Sequence, residues 1–379
     1  MFGKTNLSII ETDQTLQEKA SQWATEKVIA VDLEGDSLHS YKEKICLIQV
    51  TDSMQDYILD PLKINNLQPF FEILENPDIL KVMHGADFDI VSLKRDYNVT
   101  IQNVFDALIA AQFLGYPKFS LSNLVQEHFG FELEKEYQKH DWSARPLYEE
   151  HVNYARGDTH FLISLYEILN RKLKHSSFQD AVLEECEFLT QKEWNGKQND
   201  GSDFLRMKRI SNFKVKQLRV LRQLYNWRED LAEKADVPSF KIFGPIPLVL
   251  LASYMPTDKD QLIEVLGKTY SFIIDRYGER ILKLIEEGIE DKEALPKLPK
   301  KKKTKPHGQV ATITAQIRLW REEKQEEGIL PIYLLSNQQI KDLALSFPKT
   351  KEELEASSAI RDWQKTRYLT ELLQILTSI

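Results

Sequence analysis

The apolar residues of this 379-residue chain change their period near residue 210, and that change limits the folds open to it. Before it, short β-rich runs alternate with helix-like stretches. After it, convincing strand runs disappear and helical periodicity takes over. Val28–Val31, Ile45–Val50 and Tyr57–Leu59 are spaced for a meander, with Thr51, Asp52 and Ser53 as turn residues between the last two. Ile79–Met83 and Val104–Phe105 are further strand candidates. Ile90, Leu93 and Tyr97 recur at helical spacing, and Leu147–Leu173 reads as one long amphipathic helix. The expected fold class is α/β, a mixed sheet flanked by helices, followed by two small all-α domains.

An internal repeat supplies the two helical domains. Trp227–Arg228–Glu229 recurs as Trp320–Arg321–Glu322, and Val237–Pro238 as Leu330–Pro331. Arg276–Tyr277 recurs as Arg367–Tyr368, so the offset drifts only slightly, as short loop deletions would produce. Between the repeats, residues 296–307 hold six lysines and three prolines. Such a stretch cannot pack a core and reads as an extended linker, either a solvated spacer or a basic arm that finds phosphates.

Hydrophobic content of 42% and charged content of 28% fit folded domains and exclude a disordered chain. The two cysteines form no disulfide framework or zinc site, and Cys46 falls in an apolar run, so a reducing compartment is expected. The first residues lack the apolar core of a secretory leader, and Pro245–Met255, the most apolar stretch, is too short to span a bilayer. A cytoplasmic location with no membrane partner is expected. A net charge of −8 argues against non-specific binding to nucleic acid, unless basic groups are concentrated locally or cations offset clustered acids.

Three motifs carry chemistry. Asp32 and Glu34 stand at i and i+2 where the strand Val28–Val31 ends, so they share a face. Two carboxylates so placed repel unless a cation lies between them; the plainer alternative is a strand fading into a polar loop. Asp89 follows His84–Gly85–Ala86 at a strand-to-helix passage, with Asp60 and Asp87 as rivals and Asp87 nearly its equal by spacing. Tyr154 and Asp158 stand at i and i+4 on a helix. They are either a buried tyrosine bonded to an acid, or a metal ligand beside a group that holds water. Four acids that meet in space can bind two divalent cations, which clamp the attacking and leaving oxygens of a phosphodiester. His39, His128 and His160 read as surface or capping residues, and Asp106 as a helix N-cap.

Together, D-L-E at 32–34, H-G-A-D-F-D at 84–89 and Y-x-x-x-D at 154–158 resemble the ribonuclease D family of 3′→5′ exonucleases. Q-K-H-D-W-S-A-R-P-L at 138–147 resembles the segment before that family's third motif. Both C-terminal repeats resemble the helicase-and-ribonuclease-D C-terminal (HRDC) domain. The resemblance selects Asp89 over Asp87. It implies a ribonuclease-H-like nuclease domain over 1–207, HRDC-like domains over 208–290 and 309–379, and a linker over 291–308.

It also implies catalysis by Asp32, Glu34, Asp89, Tyr154 and Asp158. The four acids would hold two divalent ions, Mg²⁺ or Mn²⁺: Asp32 bridging both, Glu34 and Asp158 completing the first site, Asp89 anchoring the second. Tyr154 would orient the attacking water. His84, Phe88, Lys139 and Arg145 are candidate substrate contacts, with core packing the alternative for Phe88. The expected activity is release of nucleoside 5′-monophosphates from RNA 3′ ends, in tRNA precursors first of all, with no obligate protein partner. The alternatives are a DNA 3′→5′ exonuclease and an RNA-binding scaffold with an inactive site.

Overall fold

The central strand run Ile45–Thr51 is buried on both faces, as a sheet covered by helices on each side requires. The computed structural model describes residues 6–196, 200–296 and 307–378; of the expected linker, residues 297–306 lie outside the described residues. The strands are β1 (Asn6–Ile10), β2 (Val28–Gly35), β3 (Ile45–Thr51), β4 (Gln55–Leu59), β5 (Leu80–Met83) and β6 (Val104–Asp106). They form one six-stranded sheet in the order β1-β4-β3-β2-β5-β6. β3 and β4 pair antiparallel, whereas β1–β4, β2–β5 and β5–β6 pair parallel. The periodicity missed β1. Only Ile10 of that strand is fully buried, so no apolar run announces it.

Helices α1 (Asp13–Trp23), α2 (Gln68–Glu75), α3 (Asp87–Tyr97), α4 (Ala107–Phe113) and α5 (Leu121–Phe129) accompany the strands. The long helix expected over 147–173 is two: α6 (Glu149–His160) and α7 (Leu162–Lys174), broken at Phe161. The break lets α6 lie on β3 and β4 while α7 packs on β5. α8 (Gln179–Thr190) follows.

The rest is helical: α9 (Val215–Lys234), α10 (Ser239–Ile242), α11 (Pro245–Tyr254), α12 (Lys259–Leu266) and α13 (Ser271–Glu290) in the first repeat. α14 (His307–Glu326), α15 (Asn337–Ser346), α16 (Lys351–Glu355) and α17 (Asp362–Thr377) form the second. The repeats share packing detail. Trp227 meets Tyr277 edge-on at 5.3 Å, and Trp320 meets Tyr368 edge-on at 5.2 Å. Met255 and Phe347, each just before a proline, end their helices with φ of 48° and 44°.

The chain divides into two units by packing. The first joins the six-stranded sheet to the second repeat. There Phe113 lies 5.7 Å from Tyr333 and 5.3 Å from Trp363, and Tyr333 stacks on Phe178 at 4.4 Å. The Glu184 carboxylate accepts from the backbone N–H groups of Asp362 (2.7 Å) and Trp363 (3.0 Å), capping α17. The repeat boundary near 309 is thus no boundary of the core. The second unit joins the first repeat to the loop 35–44. The Asp36 carboxylate ties that loop to itself through Ser40 and the Lys44 backbone, and Tyr41 donates to Glu229 of α9. Among the described residues no helix is long and apolar enough to cross a membrane.

Candidate active site

β2 does not stop at Val31. It runs on to Gly35, so Asp32 and Glu34 project from within the strand. Val31 and Leu33 are buried on one face, while Asp32 and Glu34 are half-buried on the other, as strand alternation dictates. Asp158 comes to them from α6. Asp32, Glu34 and Asp158 each bring a carboxylate oxygen to within 4.8 Å of the others.

Asp89 approaches from the first turn of α3. β5 ends at Met83, and Gly85, with φ of 72°, turns the chain into the helix. Only a residue without a Cβ takes that backbone cheaply. The Asp106 carboxylate braces the turn, accepting from the N–H groups of Gly85 (3.0 Å) and Ala86 (2.9 Å). It also accepts from Leu108 and Ile109, so it is the expected N-cap and a brace besides. Asp89 faces inward and is 7% exposed. Asp87 faces out and pairs with Lys192 at 2.5 Å. Asp89 lies outside the tight three-acid group, but its charge acts on Asp32 and Glu34.

Burial and mutual repulsion dominate the electrostatics. Burial first, then Asp158 and Asp89, pushes Glu34 up to about 9. Burial, with Asp106 and Asp158, pushes Asp89 up to about 7, and burial alone raises Asp158 to about 7. Asp32 rises well above the carboxylate range through burial and the charges of Asp89, Asp158 and Glu34. Burial and the charges of Asp158, Glu34 and Asp32 drive the Tyr154 phenol far upward, so it stays protonated at neutral pH. An all-oxygen set of this kind fits a hard divalent cation.

The orientation of α6 has its own support. The buried Asp56 of β4 accepts from Arg156 Nε (2.5 Å) and bonds His160 Nδ1 (2.8 Å). Thr51 bonds both Asp56 (2.8 Å) and Thr159 (2.9 Å). These partners flank Asp158 along the helix and fix its rotation. His160 is therefore an internal brace and not a surface or capping residue. His128 likewise bonds the Tyr116 hydroxyl at 2.8 Å.

Tyr154 is held between aromatic rings. Tyr137 lies 5.8 Å away edge-on, and the fully buried Trp142 lies 5.8 Å away, tilted by 32°. Sequence reasoning missed Trp142; the signal was a tryptophan inside the 138–147 segment. A cleft of about 460 Å³ opens beside Tyr154 and Asp158, walled by residues 131–134 and by Asn153 and Gly157.

The four candidate substrate contacts fare differently. Arg145 is corrected. Its guanidinium bonds both oxygens of Asp60 (2.7 and 2.8 Å) and the carbonyls of Cys46, Trp142 and Ala144. All five of its N–H groups are thereby used, leaving none for a phosphate; it pins the segment that carries Trp142. Phe88, one residue before Asp89, is 53% exposed and does not pack in the core. His84 is half-buried, and its Nδ1 is buried without a hydrogen bond. Burial lowers its pKa, so the ring is neutral. Lys139 lies exposed in a turn. Both cysteines are buried thiols outside any disulfide.

Residues 7–174 match the family model described as 3′-5′ exonuclease, and residues 217–285 and 311–376 match the HRDC domain. The chain is 33% identical over 287 residues to the Exosome complex component 10 homolog of Caenorhabditis elegans, covering 75% of this chain and 33% of that protein. It thus spans about a third of the length of that relative. Ribonuclease D of Haemophilus influenzae is 28% identical over 287 residues, covering 74% of this chain and 69% of its own. The crystal structure of Escherichia coli RNase D superposes with a TM-score of 0.72 at 25% identity, covering 98% of this chain and 99% of that one. That match spans the sheet and both helical repeats. A 3′-5′ exonuclease domain joined to paired HRDC domains places this chain in the ribonuclease D-type family.

Proposed function

We propose that this chain is a metal-dependent 3′→5′ exoribonuclease that releases nucleoside 5′-monophosphates from RNA 3′ ends. The convergence of Asp32, Glu34 and Asp158 within 4.8 Å carries the reading, with the Asp89 charge raising the pKa values of Asp32 and Glu34. Asp32 would be shared between two divalent ions, Mg²⁺ or Mn²⁺. Glu34 and Asp158 would complete one site and Asp89 would anchor the other. When bound, such ions supply charge stabilisation at the phosphate undergoing attack.

The protein's own residues do the rest. Asp32, Glu34, Asp89 and Asp158 would hold the cations beside the terminal phosphodiester. Tyr154 stays protonated and therefore cannot be the base; its hydroxyl orients the attacking water. Trp142 and Tyr137 keep that hydroxyl in place. Phe88, exposed beside Asp89, offers a face on which a terminal base can stack, and His84 and Lys139 are further candidates for the terminal nucleotide. The favoured substrate is a structured RNA with a short 3′ tail, such as a tRNA precursor. The Escherichia coli enzyme is described as acting in structured RNA processing.

End-labelled digestion of a tRNA carrying a short 3′ extension tests the reading. The assay is run with Mg²⁺, Mn²⁺ or chelator, beside a matched DNA oligomer. Metal-dependent release of single nucleotides from RNA is expected. Release from DNA alone would move the assignment to a DNA exonuclease, and release from neither would leave a binding role. Relatives named for the exosome give a reason to repeat the assay after affinity purification from cells. A stably associated complex would replace the expectation that no protein partner is needed.

A further inference from the structure

Although the whole chain is acidic, residues 204–228 contain eight lysines and arginines and no aspartate or glutamate. This segment precedes and opens the first helical repeat. Two of the eight serve the interior: Arg228 is buried against Glu229, and Arg222 pairs with Asp291. Lys208, Arg209, Lys214 and Lys216 are exposed and make no ion pair among the described residues.

The segment is not a loose charged tail. Phe204 and Ile210 are buried in the core of the repeat, and Met207 and Phe213 pack against that core. Apolar anchors thus alternate with outward cations, so the charges are displayed on a fixed strap. Arg209 holds a φ of 69°, a backbone unfavourable to a residue with a Cβ. Lys214 and Lys216 sit at the start of α9, whose first turn has no acid. The positive end of a helix disfavours cations there. Folding alone gives no reason for this arrangement; a polyanion would relieve it.

We propose that the strap 206–216 binds the phosphate backbone of the RNA substrate, away from its 3′ end. The proposal rests on the RNA reading above. Hydrolysis removes one terminal nucleotide at a time, so a second hold on the body of the RNA would keep it bound between turnovers. Phosphate contacts of this kind are independent of sequence and sensitive to salt.

The test replaces Lys208, Arg209, Lys214 and Lys216 together with Gln. A control replaces four exposed lysines elsewhere on the same unit, Lys241, Lys259, Lys268 and Lys283, so that net charge is matched. Binding to a 30-nucleotide RNA is followed by fluorescence anisotropy in chelator across a salt series. Each phosphate contact to a single strand contributes a slope of about 0.7, so the strap variant should lose about 3 from the slope of log K against log salt. The control should lose much less. Turnover of a four-nucleotide RNA should match the parent in both variants. Equal slopes for the two variants would overturn the strap. Failure of the parent itself to degrade the short RNA would count against the nuclease reading and not against the strap. A melting curve equal to the parent's confirms that any loss is of binding and not of fold.

Discussion

Glu34→Gln should make the metal-free protein more stable at neutral pH, although it removes a proposed metal ligand. The Glu34 carboxyl rises from 4.5 to about 9 on folding, through burial and the charges of Asp158 and Asp89. A raised carboxyl stabilises the fold fully below its unfolded value and loses that contribution as pH climbs through the folded value. Between pH 4.5 and 7 the loss is about 2.5 units at about 1.4 kcal/mol each, or roughly 3 kcal/mol. Gln keeps the shape and carries no charge, so it escapes the loss. In chelator the variant should therefore melt several degrees above the parent at pH 7 and level with it at pH 4.5. Adding Mg²⁺ or Mn²⁺ should reverse the order, because only the parent keeps the full ligand set. A variant no more stable than its parent in chelator at pH 7 would refute the argument that uncompensated acids define this site.

Five further outcomes follow from the geometry. Asp89→Asn should abolish metal-dependent release of nucleotides and, in chelator at pH 7, should melt no lower than the parent, because it too removes a carboxyl raised by burial; unchanged turnover would remove Asp89 from the site. Tyr154→Phe should lower kcat on an RNA oligomer about 10–100-fold with little change in KM, as expected for a group that orients the attacking water. A pure rise in KM would place it in binding instead. Asp56→Ala strips Arg156 and His160 of their shared partner and should cost about 3–5 kcal/mol by chemical denaturation, the penalty of a buried ion left alone. Trp363→Ala should destabilise the nuclease sheet as well as the second repeat, by about 3–5 kcal/mol, because its ring packs on Phe113 of α4. For the same reason, truncation after residue 306 should expose Phe113 and Phe178 and yield an aggregating protein. Limited proteolysis that released a soluble, active nuclease fragment would contradict this.

Several features could be read from the chain because they depend on local order. The α/β-to-α change at residue 210 and the doubled helical repeat follow from periodicity and self-similarity. The i,i+2 and i,i+4 placement of the acids and Tyr154 follows from strand and helix geometry. The resemblance to known motifs then joined those pieces into one site. β1 escaped because an edge strand with only Ile10 fully buried shows no apolar run. The single helix over 147–173 was misread because helical period continues across Phe161, while the packing of α6 on the sheet does not.

What the sequence by itself determined is which groups exist and which share a face: Asp32 with Glu34, Tyr154 with Asp158, Trp227 with its counterpart Trp320. What only the tertiary structure decided is which partners those groups meet. Arg145 looked free for a phosphate until Asp60 and three carbonyls took all its donors. Asp87 and Asp89 were equal until α3 turned one outward to Lys192 and buried the other. Phe88 was an apolar residue in search of a core until the same rotation left it in solvent. A side chain's type is fixed by its codon, but its pKa, its exposure and its spare hydrogen bonds depend on elements far away in sequence. Only packing brings those elements within a few ångströms.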